Sequence, residues 1–451
     1  MSTASTARPS RGDELELTVD SLAHGGNGVA RRDGYVVFVA GAVPGDRVRA
    51  VVGKAKRAYA EARTVEVVEP SPDRIPALAP HPGAPWQVLP YERQLEVKAG
   101  QVREALERIG RLEDFELDPI VPAVEQWRYR NKLEYSFGTG EGGELVCGFH
   151  APGRWDTILP LEDCLLASEA GNALRDQVLA WCRDQGLTAW DRREHTGLLR
   201  NLVIREGRRT GELQVRLVTS KGRIDTDSLA GAVRCDGLFW TQQEQLGETV
   251  QTGETVLVSG TPQMREQIGG LEFLVSPEAF FQTNTEMAER LYGVAAEFAQ
   301  LRGTERVFDL FCGIGTIALS LAARAREVVG VEIVEAAVAD AIANARLNDV
   351  LNARFYAGDI RLAMRDLVEQ AGRPDVAVVD PPRAGLSQKV VRRILEAQPG
   401  RIVYVSCNPT TLAPNAAQMV EAGYRLARVR PVDMFPQTPH IECVALLEKR
   451  V

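Results

Sequence analysis

Near the start of the chain, apolar residues recur at every second position in short runs that are separated by glycine-rich turns. The runs cover residues 15–19, 35–39, 48–52 and 64–68. A period of two is typical of strands that bury one face. Because several such strands follow one another closely, the pattern predicts a small β-barrel over residues 10–70.

The pattern becomes mixed in the middle of the chain, over residues 71–275. Prolines crowd its first part, up to residue 90, and exclude a regular helix or strand there. A helix with apolar residues along one face is predicted at 91–111. Strand-like runs and turns then alternate, with a second helix predicted at 169–185. These features predict an α+β central domain.

From residue 276 to residue 451, near-continuous apolar runs alternate with helical stretches rich in alanine and leucine. The runs cover residues 307–311, 327–332, 376–380 and 401–405. Strands that are apolar at every position are buried on both faces, as in parallel sheets between layers of helices. The pattern therefore predicts an α/β domain of the Rossmann-like type.

The composition fits a globular protein with room for more than one domain: 451 residues, 45% apolar and 25% charged. The seven cysteines are scattered and none forms a C-x-x-C pair, which excludes a disulfide scaffold and a zinc ribbon. We expect a cytoplasmic protein for this reason. The sequence contains no apolar run long enough to span a membrane, so we expect no membrane partner.

The net charge of −8 argues at first against a nucleic-acid partner. The charge is unevenly spread, however. Residues 1–63 contain ten basic and seven acidic residues, a net of +3, which leaves −11 for the rest. A cluster near Tyr59 is a candidate surface for tracking phosphates, and a solvated barrel face explains it equally well. The cluster comprises Arg47, Arg49, Lys54, Lys56, Arg57 and Arg63.

A glycine turn between a strand and a helix marks a nucleotide site in the α/β domain. Gly313 and Gly315 belong to a G-x-G-x-x-A run, and Glu332 ends the next strand, where a carboxylate can bind ribose hydroxyls. A dinucleotide fits this pattern as well. Asp309 would repel a pyrophosphate but attract a sulfonium and an amino group, and Asp359 can accept from an adenine amino group. The run therefore indicates S-adenosylmethionine.

Two further strand ends carry groups for chemistry, Asp380 followed by two prolines and Cys407 in a turn. Carbon 5 of a pyrimidine is a poor nucleophile, and a thiolate that adds at carbon 6 activates it. The proton on carbon 5 must then leave to a general base, for which Glu442 is the candidate. A surface carboxylate is the simpler interpretation of Glu442 taken alone.

At this point the motifs resemble those of the RNA (uracil-5-)-methyltransferases, which make 5-methyluridine in ribosomal and transfer RNA. The matching runs are F-F-Q-T-N (280–284), D-L-F-C-G-I-G (309–315), V-D-P-P-R-A-G (379–385), S-C-N-P-T-T-L (406–412) and D-M-F-P-Q-T-P-H-I-E (433–442). The barrel resembles the family's OB-like TRAM domain, and R-Y-R-N-K (128–132) resembles a basic segment of its central domain. The resemblance implies that residues 276–451 form a class I methyltransferase domain, on which we expect the helix at 91–111 to pack.

The resemblance also implies roles for individual residues. Cys407 would be the nucleophile and Glu442 the base that removes the carbon 5 proton. Contacts to S-adenosylmethionine are expected from Gln282, Phe311, Gly313, Gly315, Thr316, Glu332, Asp359 and Asp380. Contacts to RNA are expected from Arg47, Arg49, Lys54, Lys56, Arg57, Arg130 and Lys132. We expect a monomer that methylates an unpaired or flipped uridine in 23S rRNA, with tRNA as the alternative.

The chain departs from the family at one point. Many members carry three cysteines before the Tyr-x-x-Gln-Leu helix and a fourth in the central domain, and these four bind an iron–sulfur cluster. Here the helix motif is present at 91–95, but residues 78–86 contain no cysteine, and Cys164 would be the lone remaining ligand. One thiolate does not hold a cluster normally bound by four. We therefore predict no iron–sulfur cluster and no other metal.

Other functions stay open at this stage. An RNA cytosine-5-methyltransferase uses the same thiol chemistry, but it usually has a second cysteine where Arg383 stands. A non-catalytic RNA-binding protein with this fold would have no use for Cys407 and Glu442 together. A dehydrogenase that binds a dinucleotide is the alternative outside these classes.

Overall fold

The computed structural model describes residues 8–245, 247 and 253–450. Its amino-terminal strands form a closed barrel in the order β1-β2-β3-β5-β4. The strands are β1 (Glu14–Leu22), β2 (Gly28–Arg32), β3 (Tyr35–Ala40), β4 (Arg47–Ala55) and β5 (Tyr59–Glu69). Side chains alternate between exposed and buried along β1, and the buried set includes Leu15, Leu17 and Val19. The period of two therefore produces the barrel core, as predicted.

Two compact units make up the described chain. The first contains the residues up to Glu104 together with Phe435–Ile441, and the second contains Ala105–Met434 together with the segment from Glu442. Helix α1 (Tyr91–Glu104) belongs to the first unit. The domain boundaries expected from the sequence, 10–70, 71–275 and 276–451, stay predictions.

The helix predicted at 91–111 is α-helical only over its first two thirds. α1 ends at Glu104, and Ala105–Ile109 form a π-helical turn that Gly110 closes by donating its N–H to the carbonyl of Ala105. Gly110 itself lies close to the carbonyl of Ala413, which a Cβ atom would approach to 3.0 Å. A residue with a side chain would therefore clash at this turn.

The central part of the second unit is a mixed sheet in the order β13-β12-β11-β10-β7-β8-β9. Its strands are β7 (Lys132–Thr139), β8 (Leu145–His150), β9 (Ile158–Pro160), β10 (Leu199–Glu206), β11 (Leu213–Ser220), β12 (Gly237–Gln243) and β13 (Glu254–Gly260). Helices α2 (Glu169–Asp184) and α3 (Thr226–Ala232) pack on this part, and β14 (Met264–Ile268) pairs with β15 (Leu271–Val275) as a hairpin.

The carboxyl-terminal part is a sheet in the order β18-β17-β16-β19-β20-β22-β21-β6. Its strands are β6 (Glu116–Leu117), β16 (Arg306–Leu310), β17 (Glu327–Glu332), β18 (Ala353–Ala357), β19 (Val376–Val379), β20 (Arg401–Ser406), β21 (Tyr424–Val432) and β22 (Glu442–Lys449). The strands from β16 to β20 are parallel, whereas β22 runs antiparallel to β20 and β21. The predicted Rossmann-like fold is confirmed.

Helices connect the parallel strands, and strand order reverses between β16 and β19. The helices are α4 (Thr285–Ala299), α5 (Thr316–Ala322), α6 (Glu335–Leu347), α7 (Ile360–Ala371), α8 (Gln388–Ala397) and α9 (Pro409–Glu421). In open α/β sheets, ligands bind beyond the carboxyl ends of the strands at such a reversal. In the part of the chain that the structure describes, no helix is long and apolar enough to cross a membrane.

Candidate active site

The glycine turn that follows β16 has a backbone that most residues do not adopt. Gly313 and Gly315 have φ angles of 53° and 87°, in the left-handed region. A Cβ atom on Gly315 would come within 3.1 Å of the Phe355 ring, whereas one on Gly313 would meet nothing within 4 Å. Glu332, at the end of β17, accepts a hydrogen bond from the Gly313 N–H (N–Oε2 3.2 Å). The turn is thus open on the side where a ligand can approach its backbone.

Asp309 provides the test of whether a cationic cofactor fits this turn. Its side chain is fully buried in β16, and within the described residues neither carboxylate oxygen accepts a hydrogen bond from another side chain. Burial, followed by repulsion from Asp380, raises the pKa of Asp309 to about 8. A buried carboxyl group without a side-chain partner favours a cation beside it. The site therefore fits the positively charged methionine end of S-adenosylmethionine.

A pocket of about 240 Å³ lies beside the turn. Phe311, Ile333 and Asp359 line it, and Phe311 has a φ of 72°, which is uncommon for a residue other than glycine. Asp359 caps α7 by accepting from the N–H of Arg361 (2.8 Å), and the Arg361 guanidinium also binds its carboxylate (Nε–Oδ1 2.9 Å). Arg361 lowers the pKa of Asp359, so this carboxylate is held ionised at the pocket wall.

Cys407 and Glu442 face each other at the ends of neighbouring strands. Ser406 pairs with Cys443 across β20 and β22, so the next position on each strand brings Cys407 opposite Glu442. Burial, followed by the charges of Glu442 and Asp380, raises the pKa of Cys407 to about 12. Burial, followed by the charge of Asp380, also raises the pKa of Glu442 well above its usual value. The arrangement therefore disfavours the charged form of both groups in the ligand-free protein.

Asp380 and Arg383 complete this group of side chains. Asp380 follows β19, and burial of its carboxyl group raises its pKa to about 7. Arg383 acts in the opposite direction, since its charge lowers the pKa of Cys407 and of Glu442. The sequence did not show which group favours the thiolate, and Arg383 is the residue that the structure brings to this place.

Hydrogen bonds tie the loop that follows Asp380 to the turn that follows Cys407. The Asn408 side chain donates to the carbonyl of Arg383 (3.2 Å), and the Thr411 hydroxyl donates to the same carbonyl (3.3 Å). Farther along, Asn415 accepts from the Leu386 N–H (2.9 Å) and donates to the Leu386 carbonyl (3.0 Å). These contacts fix the loop after β19 against α9, and Cys407 lies in the turn just before this helix.

Tyr292 is a residue of the site that the sequence did not single out. It lies on α4, is buried, and accepts a hydrogen bond from the Thr316 hydroxyl (3.2 Å). Burial raises the pKa of Tyr292, and the charges of Asp380, Asp309 and Glu442 raise it further. Only its place on an apolar helix face could have signalled it, and that signal is typical of ordinary core tyrosines.

The F-F-Q-T-N motif leads into α4. Gln282 is buried there, and the Asn131 side chain donates to its carbonyl oxygen (2.9 Å) and to the Thr285 hydroxyl (2.8 Å). Asn131 belongs to the basic segment of the central part, in which Lys132 forms an ion pair with Glu134. This segment thus holds the F-F-Q-T-N motif in place through Asn131. An RNA contact of Arg130 or Lys132 stays a prediction.

The barrel cations predicted to bind RNA fall into two groups. Arg47 forms ion pairs with Glu16 and Glu69, and Arg49 forms them with Glu14 and Glu66. Lys54 is paired with Glu61 (3.5 Å). The side chains of Lys56 and Arg57 lie exposed in the β4–β5 turn. The first three cations therefore already have acidic partners across the strands.

Cys164 is fully buried, and its N–H donates to the side chain of Asn172 (2.9 Å). Among the described residues, no three histidine, cysteine or acidic side chains are grouped so that they could hold a metal ion. The expected lack of an iron–sulfur cluster stays a prediction.

Family models match both ends of the chain. Residues 9–65 match the TRAM domain, and residues 267–450 match the tRNA (uracil-5-)-methyltransferase family. Among curated relatives, an RNA methyltransferase of Halalkalibacterium halodurans is 39% identical over 448 residues, which cover 97% of each chain. A relative of the same name from Bacteroides thetaiotaomicron is 39% identical over 456 residues, 95% of this chain and 100% of that one.

A solved structure matches over nearly the whole length. It is the Pyrococcus abyssi tRNA (uracil-54, C5)-methyltransferase in complex with S-adenosyl-L-homocysteine, 28% identical with a TM-score of 0.77. The match covers 96% of this chain and 100% of that one. S-adenosyl-L-homocysteine, bound in that structure, is what remains of S-adenosylmethionine after methyl transfer. The chain therefore belongs to the S-adenosylmethionine-dependent RNA (uracil-5-)-methyltransferases that carry a TRAM domain.

Proposed function

We propose that this enzyme methylates carbon 5 of a uridine in structured RNA through a covalent bond between Cys407 and carbon 6 of the uracil ring. The observation that supports the proposal is the placement of Cys407 opposite Glu442 at the ends of β20 and β22, with Asp380 and Arg383 beside them. A nucleophile and a base on opposed strand positions can serve two neighbouring atoms of one ring.

The reaction begins with addition of the Cys407 thiolate to carbon 6, which moves the electron pair of the ring double bond toward carbon 5. When bound, S-adenosylmethionine would supply the methyl group that carbon 5 takes up, and S-adenosylhomocysteine would be the leaving group. Glu442, as the carboxylate, then removes the proton from carbon 5. The electron pair left on carbon 5 re-forms the double bond and expels the Cys407 thiolate. The RNA is then released with 5-methyluracil at the target position.

The charged forms of Cys407 and Glu442 that this sequence needs are disfavoured in the ligand-free site, because burial and neighbouring carboxylates raise the pKa of both groups. The Arg383 guanidinium favours the ionised form of each. A cationic cofactor near Asp309 and Asp380 would offset the carboxylate charges that oppose the thiolate. Activation of the nucleophile is thus expected only in the loaded site.

The RNA is proposed as 23S rRNA, with tRNA as the second candidate because the solved relative from Pyrococcus abyssi acts on tRNA. Mass mapping of 5-methyluridine in RNA from a strain that lacks the gene decides between them. In either case the target uridine must leave its stack to reach Cys407.

The covalent step is tested by two variants. Cys407→Ala is expected to abolish 5-methyluridine formation while S-adenosylmethionine still binds in calorimetry. Glu442→Gln is expected to accumulate an enzyme–RNA adduct on denaturing gels, because the thiol cannot leave before the carbon 5 proton does. Cys235→Ala, at a partly exposed cysteine two residues before β12, is the matched control and should keep full activity. Full activity of Cys407→Ala would refute the proposal.

A further inference from the structure

The barrel surface on which RNA contacts were expected is already charge-compensated. Along β4, the outward-facing cations are bound by glutamates of β1 and β5, as in the pairs of Arg47 with Glu16 and of Arg49 with Glu66. A phosphate that bound here would have to displace a carboxylate from each cation. This ladder of ion pairs, defined by Arg47, Arg49 and Lys54, contains five glutamates against its three cations, so its net charge is −2 and it attracts RNA poorly.

One end of the barrel offers a different set of cations. Arg32 pairs with Tyr35 at the β2–β3 turn, and Ala55 pairs with Ala60 at the β4–β5 turn. Because β3 runs parallel to β5, with Val36 opposite Tyr59, both turns lie at the same end. Between them is a cleft of about 320 Å³, lined by Arg8, Pro9, Arg32, Asp33, Gly34, Tyr35, Arg57 and Ala58.

The cations of this cleft differ from those of the ladder on β4. In the part of the chain that the structure describes, the guanidinium groups of Arg8, Arg32 and Arg57 form no ion pair, in contrast to the ladder on β4. Asp33 is the acidic residue in the lining, so three positive groups and one negative group leave +2. The side chains of Arg8 and Arg57 are exposed and that of Arg32 is half-buried, so the charge is accessible to a ligand.

Tyr35 gives the cleft an aromatic wall with a set orientation. Its hydroxyl donates to the carbonyl of Lys56 (2.7 Å), which ties the two turns together. Its ring packs against the barrel core on one side and lines the cleft. Stacking of a base on an aromatic ring beside arginines is the usual recognition mode for single-stranded nucleic acids. The volume also lies in the range of roughly 300–1,000 Å³ that is typical of ligand sites.

We propose that this cleft, and not the ladder on β4, binds a single-stranded stretch of the RNA substrate. Arg8, Arg32 and Arg57 bind backbone phosphates, and Tyr35 stacks on a base. Asp33 can accept a hydrogen bond from a ribose 2′-hydroxyl, which DNA lacks. The inference rests on the proposed function, since it concerns the RNA on which the enzyme acts.

The test compares two double variants that remove the same charge. Arg32→Gln with Arg57→Gln changes the cleft, and Arg47→Gln with Arg49→Gln changes the ladder. Binding of labelled oligouridine is measured by fluorescence anisotropy across a range of salt concentrations, without cofactor. Two lost phosphate contacts are expected to reduce the slope of log K against log salt by about 1.4, which corresponds to roughly 25-fold weaker binding at 0.1 M salt.

The ladder variant is expected to keep the wild-type slope and to bind within about two-fold of wild type. An equal fall in slope for both double variants, or no fall for the cleft variant, would overturn the proposal. Tyr35→Leu is expected to weaken binding about 10-fold without a change of slope, and Tyr35→Phe to bind as wild type. Unchanged binding by Tyr35→Leu would overturn the stacking contact.

Methyl transfer is measured separately, so the two proposals can fail independently. If the cleft variant binds RNA more weakly but the wild-type enzyme makes no 5-methyluridine, the cleft is supported and the proposed function is refuted. Active wild-type enzyme with unchanged binding by the cleft variant would refute the cleft alone. Circular dichroism checks that each variant is folded.

Discussion

Reaction of Cys407 with a small aromatic disulfide is expected to be slow in the ligand-free protein at pH 8, because the fold keeps the thiol protonated. The pKa of Cys407 is raised from 9.0 to about 12. At pH 8 the thiolate is then about 10⁻⁴ of the total, against roughly 0.1 for an unperturbed thiol, a loss of about 1,000-fold. The more basic thiolate is about 30-fold more nucleophilic, which leaves a net slowing of about 30-fold.

The assay is quenched labelling followed by mass spectrometry of the peptide that contains Cys407. The same protein in denaturant supplies the rate of the unperturbed thiol. A folded-state rate within about three-fold of the denatured rate would refute the reasoning, because the burial and the carboxylates that raise the pKa would then have no effect.

The charges near Cys407 predict whether each variant is labelled faster or slower than the wild type. Glu442→Gln removes a charge that raises the pKa of Cys407, so labelling should accelerate, whereas Arg383→Gln removes a charge that lowers it, so labelling should slow. Glu448→Gln, at the far end of β22, is the matched control and should leave the rate unchanged. Slower labelling of Glu442→Gln or faster labelling of Arg383→Gln would contradict the arrangement of charges around the thiol.

Three further predictions concern the supports of the site. The folded-state pKa of Asp309, about 8, exceeds its ordinary value of 3.8, so folding takes up a proton between these pH values. The free energy of unfolding therefore falls as the pH rises from about 4 to about 8. Asp309→Asn should show a smaller fall in Tm over this range and should lose S-adenosylmethionine binding. Asn415→Ala removes buried hydrogen bonds to Leu386 and should lower the free energy of unfolding by about 2–4 kcal/mol and also kcat. Gly315→Ala forces a left-handed backbone and a contact with Phe355, costing about 1–2 kcal/mol, and should weaken cofactor binding in calorimetry.

Controls for these variants lie nearby. Asp366→Asn, on α7, should leave the pH dependence of Tm as it is, and Gly293→Ala, where a Cβ atom would meet nothing within 4 Å, should be near neutral for stability. A free energy of unfolding in urea that is unchanged in Asn415→Ala would contradict the stabilising role of the hydrogen bonds between Asn415 and Leu386. Unchanged cofactor affinity in Gly315→Ala would contradict the close approach of ligand and turn.

The elements that carry the chemistry follow from local patterns. Alternation over 15–19 predicted a strand of the barrel, and the apolar run at 376–380 predicted the strand that ends before Asp380. The strand-end positions of Asp309 and Glu332 could also be read, because parallel strands bring their carboxyl ends to one edge of a sheet. Period and strand-end position depend only on neighbouring residues, so the sequence alone is sufficient to locate them.

The helix at 91–111 shows where local patterns stop being sufficient. The apolar face continues past Glu104, but the structure replaces the last turns by a π-helical turn that Gly110 closes. Hydrogen bonding five residues back differs too little from the α-helical pattern to change the spacing of apolar residues. The contact of Gly110 with the backbone of α9 is a tertiary feature that the sequence does not display.

The sequence by itself determined the fold class and the glycine turn, and it singled out Cys407 as the candidate nucleophile, since each rests on residue type and short spacing. Only the tertiary structure decided that Cys407 stands opposite Glu442, because that depends on β22 entering the sheet antiparallel between β20 and β21. It likewise decided that Arg47 is held by Glu16 and Glu69, partners that lie on separate strands. Such pairings join residues far apart in the chain, and the register that creates them is set by the packing of whole strands.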